Sequence, residues 1–192
     1  MSMATGPVRP PGAVELLERA IAYTGAELVE VRDEHLDRST PCAQWDLLAL
    51  LRHMDDSLDA LAVAASAPAL SLVPSPSALE GMALVDRIRW RACTLLGHWH
   101  PEPVGSVGLG ALALPRELLG AVGALEITLH GWDVSQATGS RRPIPPALAM
   151  DLWPVARDHV TDLDRPVRFG PEVNVPDTAS PQTRLLAHTG RR

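Results

Sequence analysis

Apolar residues recur at helical spacing along most of this 192-residue chain. Spacings of three, four and seven residues are typical of the buried face of an amphipathic helix. They predict four long helices, over residues 14–31, 47–65, 78–97 and 115–139. Asp46 directly precedes the second helix, where its carboxylate can cap the first turn. Four long helices joined by loops, one of them a long crossover, predict an all-α fold built as an antiparallel four-helix bundle.

Gly25 lies inside the first predicted helix. A glycine in a helix interior costs about 1 kcal/mol relative to alanine, because it loses more backbone freedom on folding. This cost counts against an unbroken helix at that position.

The connecting segments are rich in glycine and proline, which favour turns and loops. Residues 66–77 contain three prolines and predict a loop, whereas residues 99–114 predict an irregular crossover with one strand. After the fourth helix, the apolar spacing in residues 146–160 predicts a fifth, shorter helix.

The tail from residue 165 differs from the helical body and predicts a small C-terminal extension, residues 165–192. Residues 167–169 and 173–175 flank a Gly-Pro turn and predict two short paired strands. Residues 182–188 predict a terminal helix that begins after Ser180.

Length and composition suit a single soluble globular domain over residues 1–192, with residues 1–12 flexible. The formal net charge is −6 and the basic residues are scattered. Phosphate contacts need a concentrated basic surface, so we expect no nucleic-acid partner. We expect no membrane span and no signal peptide, because the chain lacks a long apolar run and its first residues lack basic and apolar regions. These features predict a cytoplasmic protein with a small-molecule substrate, and they leave a homodimer open.

The two cysteines, Cys42 and Cys93, match no C-x-x-C metal or redox pattern. No neighbouring base or helix N-terminus is evident to lower the pKa of Cys42, so we interpret it as a small buried thiol rather than a nucleophile. Cys93 falls within the third predicted helix and is interpreted as a core residue.

Glu126 and His130 are four residues apart on the fourth predicted helix, so they project from one face, one turn apart. Leu119 and Val122 precede them on nearly the same row, which points the pair toward the apolar interior. An ionised carboxylate is expensive there unless it is paired or coordinated, and a metal ion would meet that need. Asp133, three residues beyond His130, can accept a hydrogen bond from the imidazole and orient it.

His53 is the best candidate for a third ligand, because it lies at the flank of the apolar stripe of the second helix. Two histidines and one glutamate form the ligand set of catalytic zinc sites, which keep a fourth position open. Ni²⁺ and Fe²⁺ accept the same groups. The simpler alternatives are a helix ion pair between Glu126 and His130, worth about 0.2–0.5 kcal/mol, and a core or rim histidine at position 53.

Two tryptophans, Trp45 and Trp132, each flank a segment that carries proposed ligands. A rigid indole ring there can wall a binding pocket, although packing in the core explains a tryptophan equally well.

Residues 40–46, Thr-Pro-Cys-Ala-Gln-Trp-Asp, followed by His53, resemble the T-P-C-x-x-W…H signature of one branch of the DinB-like superfamily. That branch contains the N-terminal metal-binding domain of mycothiol-dependent maleylpyruvate isomerase. Residues 126–139 resemble its E-x-x-x-H-G-W-D…A-T-G segment, and residues 169–187 resemble the tail of its single-domain members. The resemblance extends from about Pro41 to the C-terminus.

The resemblance implies a four-helix bundle that holds a divalent metal, usually zinc, through His53, Glu126 and His130. It also implies chemistry of the low-molecular-weight thiol mycothiol, as a cosubstrate in isomerisation or sulfur transfer. The isomerase has a separate C-terminal domain that helps to form its substrate site. The 192 residues hold no counterpart of that domain, which argues against maleylpyruvate as the substrate.

Together these features predict a zinc-dependent enzyme of the mycothiol-dependent transferase or isomerase type. It would activate a thiol toward a small electrophilic metabolite, with Asp133 tuning His130. Two alternatives stay open at this point. One is a hydrolase, hydratase or lyase-like enzyme that uses metal-bound water, and the other is a metal-binding bundle without catalytic activity.

Overall fold

The computed structural model describes residues 10–42, 44–69, 79–102, 104–165 and 167–192. Within them the chain forms six α-helices and one two-stranded antiparallel hairpin: α1 Ala13–Leu28, α2 Leu47–Ser66, α3 Gly81–Trp99, β1 Ser106–Leu109, β2 Leu112–Pro115, α4 Arg116–Thr138, α5 Pro146–His159 and α6 Pro181–His188. The all-α class predicted from the sequence is confirmed. None of the described helices has both the length and the apolar character that a bilayer crossing requires.

Side-chain caps and one glycine set the helix ends where the sequence predicts them. The carboxylate of Asp46 accepts a hydrogen bond from the Ala49 backbone N–H at 2.8 Å, which satisfies one free donor of the first turn of α2. Ser180 caps α6 in the same way through the Thr183 N–H at 3.1 Å. Gly139 ends α4 with a φ of 86°, a left-handed conformation that glycine adopts without strain.

The small sheet forms in the crossover and not in the tail. The crossover contains two strands rather than the predicted one, with Ser106 opposite Pro115 and Leu109 opposite Leu112. The strands predicted over residues 167–169 and 173–175 do not form in the described tail. The N–H of Val173 donates instead to the Ala187 carbonyl at the end of α6, at 2.9 Å. Prolines at positions 171 and 176 also lack the N–H that a strand ladder needs.

Two of the predicted segments fall largely outside the described residues. The loop predicted over residues 66–77 includes residues 70–77, and the flexible segment predicted over residues 1–12 includes residues 1–9. Of the latter, Gly12 directly precedes α1, and its carbonyl accepts the Leu16 N–H at 3.1 Å.

Helix α4 lies at the centre of the helical packing and contacts α1, α2 and α5. It is buried on nearly all sides from Gly123 to Ser135, as expected for a helix that is enclosed by other elements. Leucine is the commonest residue of the core, and many of these leucines are almost completely shielded from solvent. They include Leu17, Leu50 and Leu51 on the neighbouring helices and Leu125 and Leu129 on α4 itself. The buried polar side chains of α4, among them Thr128, His130 and Asp133, therefore face protein rather than water.

A buried ion pair fixes α2 against α3. Asp55 is 1% exposed, and its carboxylate accepts hydrogen bonds from Arg87 and lies 3.2 Å from Nε of Arg91. A buried carboxylate with two guanidinium partners is well compensated, so α2 presents its other face to α4 in a defined register.

Two glycines on facing helices differ in what surrounds them. At Gly131 of α4, an added Cβ would overlap Oγ1 of Thr24 and lie 3.0 Å from its Cβ. This glycine allows α1 and α4 to approach closely, and the Thr24 hydroxyl donates to the Ile127 carbonyl at 2.8 Å. At Gly25 of α1, an added Cβ would meet no atom within 4 Å.

We therefore expect opposite effects of alanine at these two positions. Gly131→Ala should lower the free energy of unfolding by about 1–3 kcal/mol, because the extra methyl overpacks the α1–α4 contact. Gly25→Ala should raise it by about 1 kcal/mol through helix propensity alone. Urea unfolding followed by circular dichroism measures both, and equal effects of the two substitutions would contradict the described packing.

Candidate metal centre

The structure brings together the three residues that the sequence proposes as ligands. His53 projects from α2, and Glu126 and His130 project from α4. Nε2 of His53 lies 3.0 Å from Oε1 of Glu126, and one donor atom of each residue lies within 4.8 Å of the others. The two imidazole rings are nearly perpendicular, with centroids 5.0 Å apart. The trio is a compact nitrogen, oxygen, nitrogen donor set.

The site lies between the core and the surface because of where each residue falls on its helix. The side chain of His130 is 10% exposed and is the deep member, since its neighbours on α4 are buried. The side chains of His53 and Glu126 are 34% and 31% exposed, because His53 lies at the edge of the α2 stripe. The group is therefore accessible from one side.

Glu126 is held in its ionised form. Burial raises the pKa of its carboxyl, but the hydrogen bond from His53, the charge of His130 and the hydrogen bond from Ser57 outweigh burial and lower the pKa to about 2. The Ser57 hydroxyl donates to Oε1 at 2.6 Å. At neutral pH the carboxylate therefore offers only lone pairs, as a metal ligand must.

The partners of Glu126, which is partly exposed, differ from those of the buried carboxylates. Glu27, Asp55 and Asp133 each have an arginine within ion-pair distance. In the part of the chain that the structure describes, Glu126 has none, and its partners are two imidazoles and a hydroxyl. A bound divalent cation would give Glu126 the fixed positive partner that arginine gives the other three.

Asp133 orients the imidazole of His130, as the sequence predicts. Nδ1 of His130 lies 3.0 Å from Oδ2 of Asp133. Burial raises the pKa of Asp133, but the charge of Arg191 and the hydrogen bond from His130 outweigh it and hold the pKa well below its usual range. An ionised carboxylate can only accept a hydrogen bond, so Nδ1 carries the proton and Nε2 keeps a free lone pair when the ring is neutral.

Arg191 completes this support, and sequence reasoning missed it. Its guanidinium donates from Nε to Oδ1 of Asp133 at 2.9 Å and from Nη2 to Oδ2 at 2.8 Å. The Arg191 side chain is 7% exposed, so the C-terminal end of the chain is buried against the residue that orients His130. Fifty-eight positions separate the two partners, and no local spacing signals the pair.

Cys42 lies on the same carboxylate. Its sulfur is 3.4 Å from Oδ2 of Asp133, in donor geometry. Burial and the Asp133 charge raise the pKa of the thiol to about 12, with Arg191 opposing them only in part. Cys42 is half-buried rather than buried, and a protonated thiol is a poor nucleophile.

A second group of donor atoms, from Cys42, His130 and Asp133, also lies within 4.8 Å of one another. Its members are already satisfied, because the thiol keeps its proton and Arg191 occupies both oxygens of Asp133. The sulfur of Cys42 and both carboxylate oxygens of Asp133 are therefore not free to bind a cation. The group of His53, Glu126 and His130 is the better metal site.

A cavity of about 290 Å³ adjoins the trio between α1, α2, α3 and α4. Ser57, Glu126 and His130 form part of its wall. Most of the remaining lining is aliphatic and includes Ile21, Leu28, Met54, Leu58 and Ile88.

Cys93 also lines this cavity and is exposed, so its interpretation as a core residue is wrong. It lies on the outer face of α3, between the exposed positions of that helix rather than in its apolar stripe.

The two tryptophans occupy different places. The Trp45 ring lies against His53, with centroids 4.6 Å apart, and 6.2 Å from the His130 ring. Trp132 is 6% exposed on α4. Neither ring lines the cavity, so Trp45 flanks the histidines and Trp132 packs in the core.

Comparison with known proteins gives one kind of match. No protein-family model matches the chain, and no solved structure matches it. Proteins from two strains of Mycobacterium tuberculosis, both described as uncharacterized, are 25% identical over 179 residues, covering 91% of this chain and 94% of each relative. The similarity spans nearly the whole length and names no function.

Arg191 and its neighbour Arg192 provide a matched test of the buried pair. Arg191→Met should lower the free energy of unfolding by about 3 kcal/mol, because the Asp133 carboxylate stays buried without a cation. Arg192 is exposed, so Arg192→Met should change the free energy by less than about 0.5 kcal/mol. Chemical unfolding of the metal-free variants measures both values, and similar losses would show that the ion pair stabilises nothing.

Proposed function

We propose that the chain is a divalent-metal enzyme, with zinc as the metal, of the mycothiol-dependent transferase or isomerase type. The ligands are His53, Glu126 and His130. The observation that carries this proposal is the pairing of an ionised Glu126 with two imidazoles and no arginine among the described residues. The buried carboxylates Glu27, Asp55 and Asp133 each have a guanidinium partner instead.

The same proposal includes membership of the DinB-like superfamily, with α1 to α4 as its four-helix bundle. Its support is the sequence resemblance together with the packing of α1 on α3 and α4 and of α2 on α3 and α4. The hairpin β1–β2 lies in the long connection between α3 and α4, where such a bundle has its crossover.

The donor set fits zinc. Zinc bonds to imidazole nitrogen and carboxylate oxygen are about 2.0–2.2 Å long, which places the ligand atoms of a tetrahedral site about 3.3–3.6 Å apart. The His53–Glu126 separation is 3.0 Å, and all three donor atoms lie within 4.8 Å of one another. Small side-chain rotations are enough to adopt the required geometry.

The chain's own residues prepare the site for a thiol reaction. Ser57 holds one oxygen of Glu126, and Asp133 holds the Nδ1 proton of His130, so both ligands are oriented before anything binds. Zinc held by His53, Glu126 and His130 would supply Lewis-acid chemistry that lowers the pKa of a thiol. The aliphatic wall beside Glu126 excludes water from the electrophile that the sulfur attacks.

We expect the purified protein to bind one equivalent of zinc through these residues. His130→Ala should weaken zinc binding more than about 100-fold, beyond the 10- to 100-fold typical of changes to residues that only support a ligand. Helical content should stay nearly unchanged. His159→Ala removes an exposed histidine at the end of α5 and is the matched control. Competition with a chromophoric chelator gives the affinities, and circular dichroism gives the helical content.

If His130→Ala and His159→Ala bind zinc equally well, the metal site is wrong. Wholesale unfolding of His130→Ala would show instead that this residue mainly supports the core.

Thiol dependence tests the chemistry separately from the metal. Mycothiol added to the cobalt-substituted protein should produce a sulfur-to-cobalt charge-transfer band, and Glu126→Ala should abolish it because the ligand set is then incomplete. Product formation from small electrophiles should require mycothiol. Equal turnover without the thiol would remove this mechanism and favour activation of water.

A further inference from the structure

The glycines of the helices next to the candidate site have different environments. Gly120, Gly123 and Gly131 on α4 each have another side chain where a Cβ would be, from Trp99, Leu61 and Thr24 respectively. Close helix packing explains these three. Gly25 on α1 has no atom within 4 Å of its Cβ position and lines the cavity beside Glu126.

The empty space at Gly25 belongs to the cavity. A side chain at this position would project into space that no other residue fills, without touching the neighbouring helices. Glycine at position 25 therefore costs helix stability relative to alanine, and close packing of the helices gains nothing from it. What Gly25 does provide is cavity volume next to the trio.

We propose that this cavity binds the apolar part of the substrate, a small hydrocarbon group, while the reacting end of the substrate lies at Glu126 and His130. This inference rests on the proposed function, because it assigns a substrate class to the same site. The volume of about 290 Å³ suits a small group rather than a large one.

The lining decides which reactant enters. The walls are mainly aliphatic, from Ile21, Met54 and Ile88 among others. Of the polar members, Ser57 bonds to Glu126, Thr24 to the Ile127 carbonyl and His130 to Asp133. Arg89 lies at the exposed rim, where its side chain is 52% exposed. A hydroxyl-rich thiol placed there would lose its hydrogen bonds to water without replacement. The cavity therefore takes the apolar electrophile, and a polar thiol approaches the trio from its exposed side at His53.

Straight-chain alkanethiols test this arrangement, because one molecule can reach the metal with its sulfur and the cavity with its chain. We expect the affinity of the cobalt-substituted protein to rise about fourfold for each methylene from ethanethiol to hexanethiol, since burying one methylene contributes about 0.8 kcal/mol. Titration of the charge-transfer band gives the affinities. An affinity that does not change with chain length would overturn the proposal.

Gly25→Leu identifies the cavity, because the new side chain fills it from α1. It should lower the affinity for hexanethiol at least tenfold and the affinity for ethanethiol less than twofold. Gly97 on α3 is exposed and also has no atom within 4 Å of its Cβ position, so Gly97→Leu is the matched control and should change neither affinity. Equal hexanethiol affinities for Gly25→Leu and the unsubstituted protein would place the chain elsewhere.

A metal-free experiment separates failure of the cavity from failure of the metal site. Hexan-1-ol added to the metal-free protein should shift the NMR signals of the Ile21, Met54 and Ile88 methyl groups, and Gly25→Leu should suppress the shifts. If cobalt does not bind but these shifts occur, the cavity proposal holds and the metal proposal is wrong. If cobalt binds but the shifts are absent, the cavity proposal is overturned.

Discussion

Burial of negative charge is the constraint on which the rest of this structure depends. Helix α4 is enclosed along most of its length, yet it carries the ionised carboxylates of Glu126 and Asp133. An ionised group in such surroundings is tolerated only with matched partners. Those partners come from α2 and from the C-terminal segment, through His53, Ser57 and Arg191.

The two carboxylates on α4 are compensated in different ways. Asp133 receives a bidentate guanidinium from Arg191, an imidazole N–H from His130 and a thiol from Cys42. This makes Asp133 a fixed structural acceptor. Among the described residues, Glu126 receives the imidazoles of His53 and His130 and the Ser57 hydroxyl, at the edge of a cavity. The negative charge of Asp133 is fully compensated, whereas that of Glu126 is not, although the two lie only two turns apart on α4. This difference makes Asp133 a supporting residue and Glu126 the candidate ligand.

Local signals accounted for much of the fold. The apolar spacing predicted α1 to α5 to within a few residues, because a helix depends on interactions three and four residues apart that the sequence displays directly. The Asp46 cap is equally local. The prediction of paired strands in the tail was wrong, because the backbone N–H of Val173 bonds to α6 rather than to a second strand. An extended segment forms a strand only if another strand lies beside it. The local sequence pattern of the segment does not specify that neighbour.

The candidate site divides in the same way. Glu126, His130 and Asp133 lie within eight residues of one another on a single helix, so their common side was predictable from spacing. His53 required the neighbouring helix, and its place in the trio came from its position beside the α2 stripe and from the family resemblance. Nothing local indicated Arg191 or the open space at Gly25.

By itself, the sequence determined the helices, their caps and the acid and imidazole that share one face of α4. The tertiary structure decided that Arg191 is buried against Asp133 and that a cavity adjoins Glu126. It also decided that Glu126 has imidazole partners where Glu27, Asp55 and Asp133 have arginine. The physical reason is the sequence separation over which each kind of interaction acts. Helix geometry links residues a few positions apart, whereas charge compensation and empty volume depend on which helix faces meet across long separations in the chain.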